Sequence, residues 1–241
     1  MPLVVNLGVS VLIVALDTSG KNGSLALVRF DAGTRGACAT FETLEVVPLA
    51  GGTYSAQLIP QLAALLERHH LAKSAIDAYA VASGPGSFTG LRVGLSTVKA
   101  LADATAKPIA AVTVLEAVAW KAEAAGRFLI ALDAGRKQVF VGEFLAQGGL
   151  RTPLSEHLVD TLEFVENLKR EPIPVFTPDP DIAEALPPSG ATITVVPAPQ
   201  ADLYARIGAE RILAGNTISP AELDANYIRR SDAEIFHQGP R

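Results

Sequence analysis

The chain has 241 residues, of which 49% are hydrophobic and 19% charged, and its net charge is -5. That length allows one large domain or two small ones with a sizeable core, and the acidic balance excludes a protein that holds nucleic acid unaided through a basic face. The lone cysteine, Cys38, excludes an internal disulfide and fits a reducing, cytoplasmic setting. The low share of charge fits either a surface covered by a partner or an ordinary apolar α/β core.

Residues 1–10 read either as an additional tail or as the product of a start codon chosen too far upstream. The apolar opening, Leu3 to Leu16, lacks a basic leader and falls short of the about 20 residues that span a bilayer. Val11 to Leu16 reads as a central strand, Asp17-Thr18-Ser19 as its polar exit, and Ser24 to Phe30 as the second strand of a hairpin. Asn22-Gly23 before it is the preferred pair for a two-residue type I′ turn. A third strand is predicted over Phe41 to Val47. A helix is predicted over Ser55 to His70, with Leu58, Ile59, Leu62, Leu65 and Leu66 on one stripe. Pro60 sits early in that helix or kinks it.

Ala78 to Ala82 reads as a buried strand and Leu91 to Ala102 as a helix. Between them runs Ser83-Gly84-Pro85-Gly86-Ser87-Phe88-Thr89-Gly90. Glycine permits φ > 0 and close approach, and a helix N-terminus offers unpaired N–H groups. The spacing is not that of a Walker A loop, which ends in Gly-Lys-Ser/Thr. Nor is it a dinucleotide fingerprint, because Thr89 stands where the third glycine belongs. Three readings stay open: a tight structural turn with a threonine cap, an anion or nucleotide held by loop amides, and part of a protein interface.

A strand over Ile109 to Val112 follows, and strand–helix–strand implies a parallel crossover. Next come a helix over Leu115 to Ala125 and a second hairpin, Arg127 to Leu132 with Val139 to Leu145. Ile130-Ala131-Leu132-Asp133 repeats Val14-Ala15-Leu16-Asp17 in the same strand–Asp–turn–strand setting. That echo, close to half the chain away, predicts two structurally related lobes. Beyond residue 150, prolines punctuate short elements: helices over Asp160 to Arg170 and Ala201 to Ala214, and a strand over Thr192 to Val196.

No catalytic residue and no metal ligand stand out. His69 and His70 are adjacent and read as solvated at a helix end, and His157 and His237 are isolated, so no pair has metal-ligating spacing. Ser83 and Ser87 have no identifiable base. Asp17, Thr18, Ser87 and Asp133 are the candidate cofactor-binding positions. The competing reading has the aspartates capping turns through their side-chain oxygens.

Ala15-Leu16-Asp17-Thr18-Ser19, the Ser83 to Arg92 stretch, Ala131-Leu132-Asp133-Ala134 and Asn226-Tyr227-Ile228-Arg229-Arg230 together resemble the TsaB (YeaZ) family, in the right order from about residue 11 to 235. The resemblance implies an α/β fold like that of actin, sugar kinases and heat-shock ATPases: two related lobes, each a mixed sheet flanked by helices. The lobes are expected at 1–112 and 113–241, with the tail from about 220 packing back on the first. It implies a noncatalytic subunit supporting threonylcarbamoyl transfer to the adenosine beside the anticodon of tRNA. The implied partners are a TsaD-type catalytic subunit, a TsaE-type ATPase, and a second copy of the chain when alone; tRNA is met only through the complex and no membrane is involved. No cofactor of its own is implied, with ATP or ADP at the partner interface left open.

The helices at 55–70 and 91–103 would form the partner contact, with Leu58, Leu62, Arg92, Gly94, Leu95, Val98 and Ala100 as candidates. The competing reading turns that stripe onto its own sheet. In actin-like ATPases, carboxylates at the places of Asp17 and Asp133 order Mg²⁺ and water. The alternative function is therefore an ATPase or kinase with its own nucleotide site. The label of peptidase, once attached to the wider family, would need a metal or a nucleophile–base pair. Family members often carry a histidine near 54–57, where this chain has Tyr54-Ser55-Ala56-Gln57.

Overall fold

The apolar run Val11 to Leu16 asks for a strand covered on both faces, and the chain builds one around it. The computed structural model describes residues 10–33, 39–186, 189–226 and 228. The expected tail apart from Ser10, Cys38, Pro187, Pro188, His237, Tyr227, Arg229 and Arg230 lie outside the described residues.

β1 (Ser10–Asp17) is the middle of a five-stranded sheet in the order β3-β2-β1-β4-β5, with β2 (Asn22–Asp31), β3 (Thr40–Ala50), β4 (Ala78–Ala82) and β5 (Ile109–Val112). β1 and β2, and β2 and β3, are antiparallel; β1 and β4, and β4 and β5, are parallel. Side chains alternate along β1. Leu12, Val14 and Leu16 enter a core shared with α1 (Tyr54–Arg68) and α2 (Phe88–Thr105). Val11, Ile13 and Ala15 enter a second core closed by α6 (Ala201–Leu213). That second seam is made of small residues: Ala15, Ala26, Ala78, Ala80 and Ala110 meet Ala201, Ala205 and Ala209. A Cβ on Gly208 would stand 2.9 Å from the Ala80 Cβ, so only glycine lets α6 lie this close to the sheet.

A second sheet repeats the plan. β6 (Gly126–Gly135), β7 (Gln138–Gln147), β8 (Leu150–Asp160), β9 (Val175–Thr177) and β10 (Ile193–Val195) lie in the order β8-β7-β6-β9-β10, with the same alternation of antiparallel and parallel pairs. α4 (Thr161–Arg170) and α5 (Pro180–Ala185) cover one face, where Phe164, Leu168 and Ile182 meet Leu129, Ala131, Val139 and Val141. On the other face Phe128 stacks on Phe144 and meets Phe176 edge-on, both at 5.7 Å. Leu115 of α3 (Val114–Lys121) closes over Gly142. Among the described residues no helix is long and apolar enough to cross a membrane.

The described residues divide into two compact units, the first drawn from Met1–Val114 with Pro199–Ala225 and the second from Leu115–Ala198 with Asn226. The division expected at 112/113 therefore falls two residues later. The return to the first unit begins at Pro199, well before the expected 220, because the apolar face of α6 belongs to the first sheet. Three local expectations also change. Asn22 and Gly23 pair with Ala50 and Leu49 as the start of β2, so the connection from Asp17 is longer than a two-residue turn. α2 starts at Phe88, and its cap is Ser87, whose Oγ accepts from the Gly90 N–H at 3.3 Å, rather than a threonine. His69 is paired, not solvated: its Nε2 lies 2.9 Å from Glu45 on β3, beside Arg68, which holds the Glu45 carboxyl below its usual value.

The expected partner stripe is corrected most. Leu58, Leu62, Gly94, Leu95 and Val98 are buried against their own sheet, as the alternation of α1 and α2 over an apolar sheet demands. Only Arg92 and Ala100 of that set are exposed. Leu58→Ala is expected to cost about 2–5 kcal/mol of folding stability, read as a lower denaturant midpoint at unchanged m-value. Full stability with loss of partner binding would show that Leu58 faces outward.

Candidate functional site

The sharp turn after β1 and the glycine loop before α2 are pressed together. The Ser87 N–H donates to the Ser19 carbonyl at 2.7 Å, and the Thr18 hydroxyl donates to the Gly90 carbonyl at 2.8 Å. A Cβ on Gly86 would collide with the Ser19 carbonyl oxygen, one on Gly90 with the Thr18 carbonyl oxygen, and one on Gly94 with the Thr18 hydroxyl. Gly86 and Gly90 are thus required by close approach of backbone to backbone, and Gly94 by the Thr18 side chain. Where a phosphate would sit in a cradle, the chain's own Thr18 and Ser19 sit instead.

The polar side chains of the turn are spent in the same way. Asp17 Oδ1 accepts from the Ser19 N–H at 2.9 Å and from the Ser19 hydroxyl at 2.6 Å, the turn-capping role of aspartate. Tyr54 enters from α1, and its hydroxyl donates to the Gly20 carbonyl at 2.8 Å. Asp17 is 5% exposed, and burial pushes its carboxyl above the usual range, against the pull of Ser19 and Tyr204. Burial first, and the Asp17 charge second, raise the hydroxyls of Tyr54 and, further, Tyr204.

Asp133 holds the matching place near the end of β6. Its Oδ1 accepts from the Gly135 N–H at 2.7 Å, and its own N–H donates to Asp179 Oδ2 at 2.8 Å. Unlike Asp17 it is exposed. The four candidate cofactor positions therefore fall in two separate turns: Asp17, Thr18 and Ser87 meet in the first unit, and Asp133 stands in the second. Among the described residues no three His, Cys, Asp or Glu side chains group as a metal site. A groove of about 500 Å³ at the C-terminal ends of α2 and α6, lined by Asp103, Lys107, Thr217 and Ser219 among others, includes none of the four. Sequence reasoning missed Tyr204 as a neighbour of Asp17. The only signal was its place on a helix whose other buried residues are mostly small.

Two sheets of identical strand order, each ending its first strand in an aspartate-capped turn, define the class of actin, sugar kinases and heat-shock ATPases. A family model described as TsaD, tRNA N6-adenosine threonylcarbamoyltransferase, matches residues 46–202. The TsaB protein of Bacillus subtilis is 31% identical over 170 residues, covering 68% of this chain and 69% of that one. The TsaB protein of Escherichia coli K12 is 31% identical over 135 residues, 55% of this chain and 54% of its own. YeaZ from Pseudomonas aeruginosa superposes with a TM-score of 0.68 at 25% identity, over 90% of this chain and 99% of that one. A second Pseudomonas aeruginosa structure, of a protein described as similar to the peptidase YeaZ, does so at 26% identity. The chain belongs to this TsaD-like family and, within it, to the TsaB (YeaZ) proteins.

Helix propensity alone favours Ala over Gly by about 1 kcal/mol. At Gly90 the collision with the Thr18 carbonyl outweighs that gain, so Gly90→Ala is expected to lose about 1–3 kcal/mol overall, measured by thermal unfolding. A variant more stable than the parent would mean that the two turns are not clamped together.

Proposed function

We propose that the chain is a noncatalytic scaffold subunit that binds a TsaD-type catalytic subunit and supports threonylcarbamoyl transfer to the adenosine beside the anticodon of tRNA. The relatives from Bacillus subtilis and Escherichia coli are both named tRNA threonylcarbamoyladenosine biosynthesis protein TsaB. One observation carries the noncatalytic part: Asp17, Thr18, Ser19 and Ser87 spend their polar groups on one another and on the backbone of their own unit. A hydroxyl that caps a helix and a carboxylate that closes a turn do not form a phosphate cradle, and Ser87 so engaged is not poised as a peptidase nucleophile.

The outward faces of α1 and α2 support the scaffold part. With Leu58, Leu62, Leu95 and Val98 turned inward, the opposite side presents Ile59, 53% exposed, and Phe88, 44% exposed, with Ala56, Ala63 and Ala100. The Arg92 guanidinium lies 3.9 Å over the Phe88 ring, a flat cationic–aromatic unit suited to a partner's carboxylate. In this reading the same face holds a second copy when the catalytic subunit is absent, and a TsaE-type ATPase joins the assembled pair. The acidic chain meets tRNA only through the complex. Nucleotide, where present, is held with the partner's groups.

The test is co-elution with a TsaD-type protein, followed by tRNA modification with and without the chain. Ile59→Glu with Phe88→Glu is expected to abolish co-elution and lower modification at least tenfold while the melting temperature stays within a few degrees, since surface changes of this kind are worth about ±0.5 kcal/mol. Full modification in the absence of the chain would overturn the scaffold role. Turnover of Mg-ATP by the purified chain, lost in Asp17→Ala, would establish the ATPase reading instead.

A further inference from the structure

The groove at the C-terminal ends of α2 and α6 lies wholly within the first unit, and its volume of about 500 Å³ falls in the range of small-molecule sites. Its walls are largely apolar: Ala102, Pro108, Ile212 and Ile218 line it beside Asp103 and Ser219. The charges around it break a general rule. A helix carries about half a unit of negative charge at its C-terminal end and gains from a cation placed there. The last turn of α2 holds no basic residue, and Asp103 stands in it instead. The last turn of α6 does hold Arg211, but that side chain donates from Nη1 to the Ala111 carbonyl of β5 and does not line the groove.

Among the described residues that line the groove, the one cation is Lys107, and its charge is already matched. Its Nζ lies 3.6 Å from Asp77 Oδ1, while Asp77 Oδ2 accepts the Leu12 N–H at 2.9 Å. The Asp103 carboxylate is exposed and makes no ion pair among the described residues. Two helix ends and one carboxylate therefore leave about two units of negative charge without a cation over an apolar floor. An acid set against the dipole of its own helix is a local conflict of the kind that marks a functional position.

We propose that this groove binds an aliphatic diamine, with its ammonium ends against Asp103 and the helix carbonyls and its methylenes along Ile212 and Ile218. The amount of charge calls for two ammonium groups rather than one. The apolar walls call for an alkyl chain, because a hydrated metal ion gains nothing from them. The last carbonyls of an α-helix have no donor within the helix, so they are open to an ammonium N–H. The groove shares no residue with the outward face of α1 and α2, and the proposal does not depend on the function proposed for that face.

The test is titration of putrescine into the full chain at neutral pH, read by ¹H–¹⁵N NMR. Salt at about 0.15 M, where the Debye length is about 8 Å, suppresses diffuse attraction to the acidic surface. Saturating shifts centred on Asp103, Lys107, Thr217 and Ser219 are expected, with weaker binding of butylamine and none of butanediol. Asp103→Asn, a change at an exposed side chain, is expected to weaken putrescine by about tenfold. Thr217→Trp, which fills the groove and leaves its charge, is expected to abolish binding. Absence of binding, shifts that spread over the surface without saturating, or unchanged affinity in either variant would overturn the site. Equal affinity for butylamine and putrescine would overturn the assignment to a diamine.

Discussion

Thr18 and Ser19 lie so close to the start of α2 that no side chain fits between them. Gly86, Gly90 and Gly94 each leave room for one atom of that turn. The direction of α2 is thereby tied to the end of β1, and α2 in turn positions the inward residues Leu91, Leu95 and Val98 over the sheet. α1 is fixed to the same turn from the other side through Tyr54 and Gly20. The outward face of α2 is therefore set by a contact between two backbones, and that of α1 by a side-chain bond to the same turn.

The second unit solves the same geometric problem with different atoms. Asp133 caps its turn as Asp17 does, but the link from that turn to the segment after β9 is the Asp179 carboxylate, which accepts the Asp133 N–H. A side chain spans the gap that glycines close in the first unit. The two solutions differ in what they exclude: backbone contact leaves Asp17 buried, whereas the side-chain bridge leaves Asp133 open to water. Duplicated topology thus carries two aspartates of the same role into opposite electrostatic settings.

Much of this was legible in the residues. The apolar runs gave β1, β4 and β5, and the repeated Ala-Leu-Asp ending of two strands announced the pair of sheets. β8 was not legible, because it lies at an edge with most of its side chains exposed and Pro153 within it, so neither alternation nor an apolar run marks it. β9 has only three residues between Pro174 and Pro178, too few for any period. The partner stripe was misplaced for a physical reason: a helix lying on a sheet has its apolar side inward, so the residues that make the stripe easy to see are those least available to a partner. The glycine loop resisted assignment because glycine spacing reports close approach without saying what approaches.

The first sheet receives its closing helix from beyond the second in chain order: α6 follows β10 yet belongs with the first. The alanine face of the first sheet consequently has no cover while the chain is being synthesised, until residues 201–213 leave the ribosome. The first sheet is thus not a separable module, and a chain cut short after Ala198 would carry a bare apolar plane into the cell, a substrate for chaperones rather than a smaller working protein.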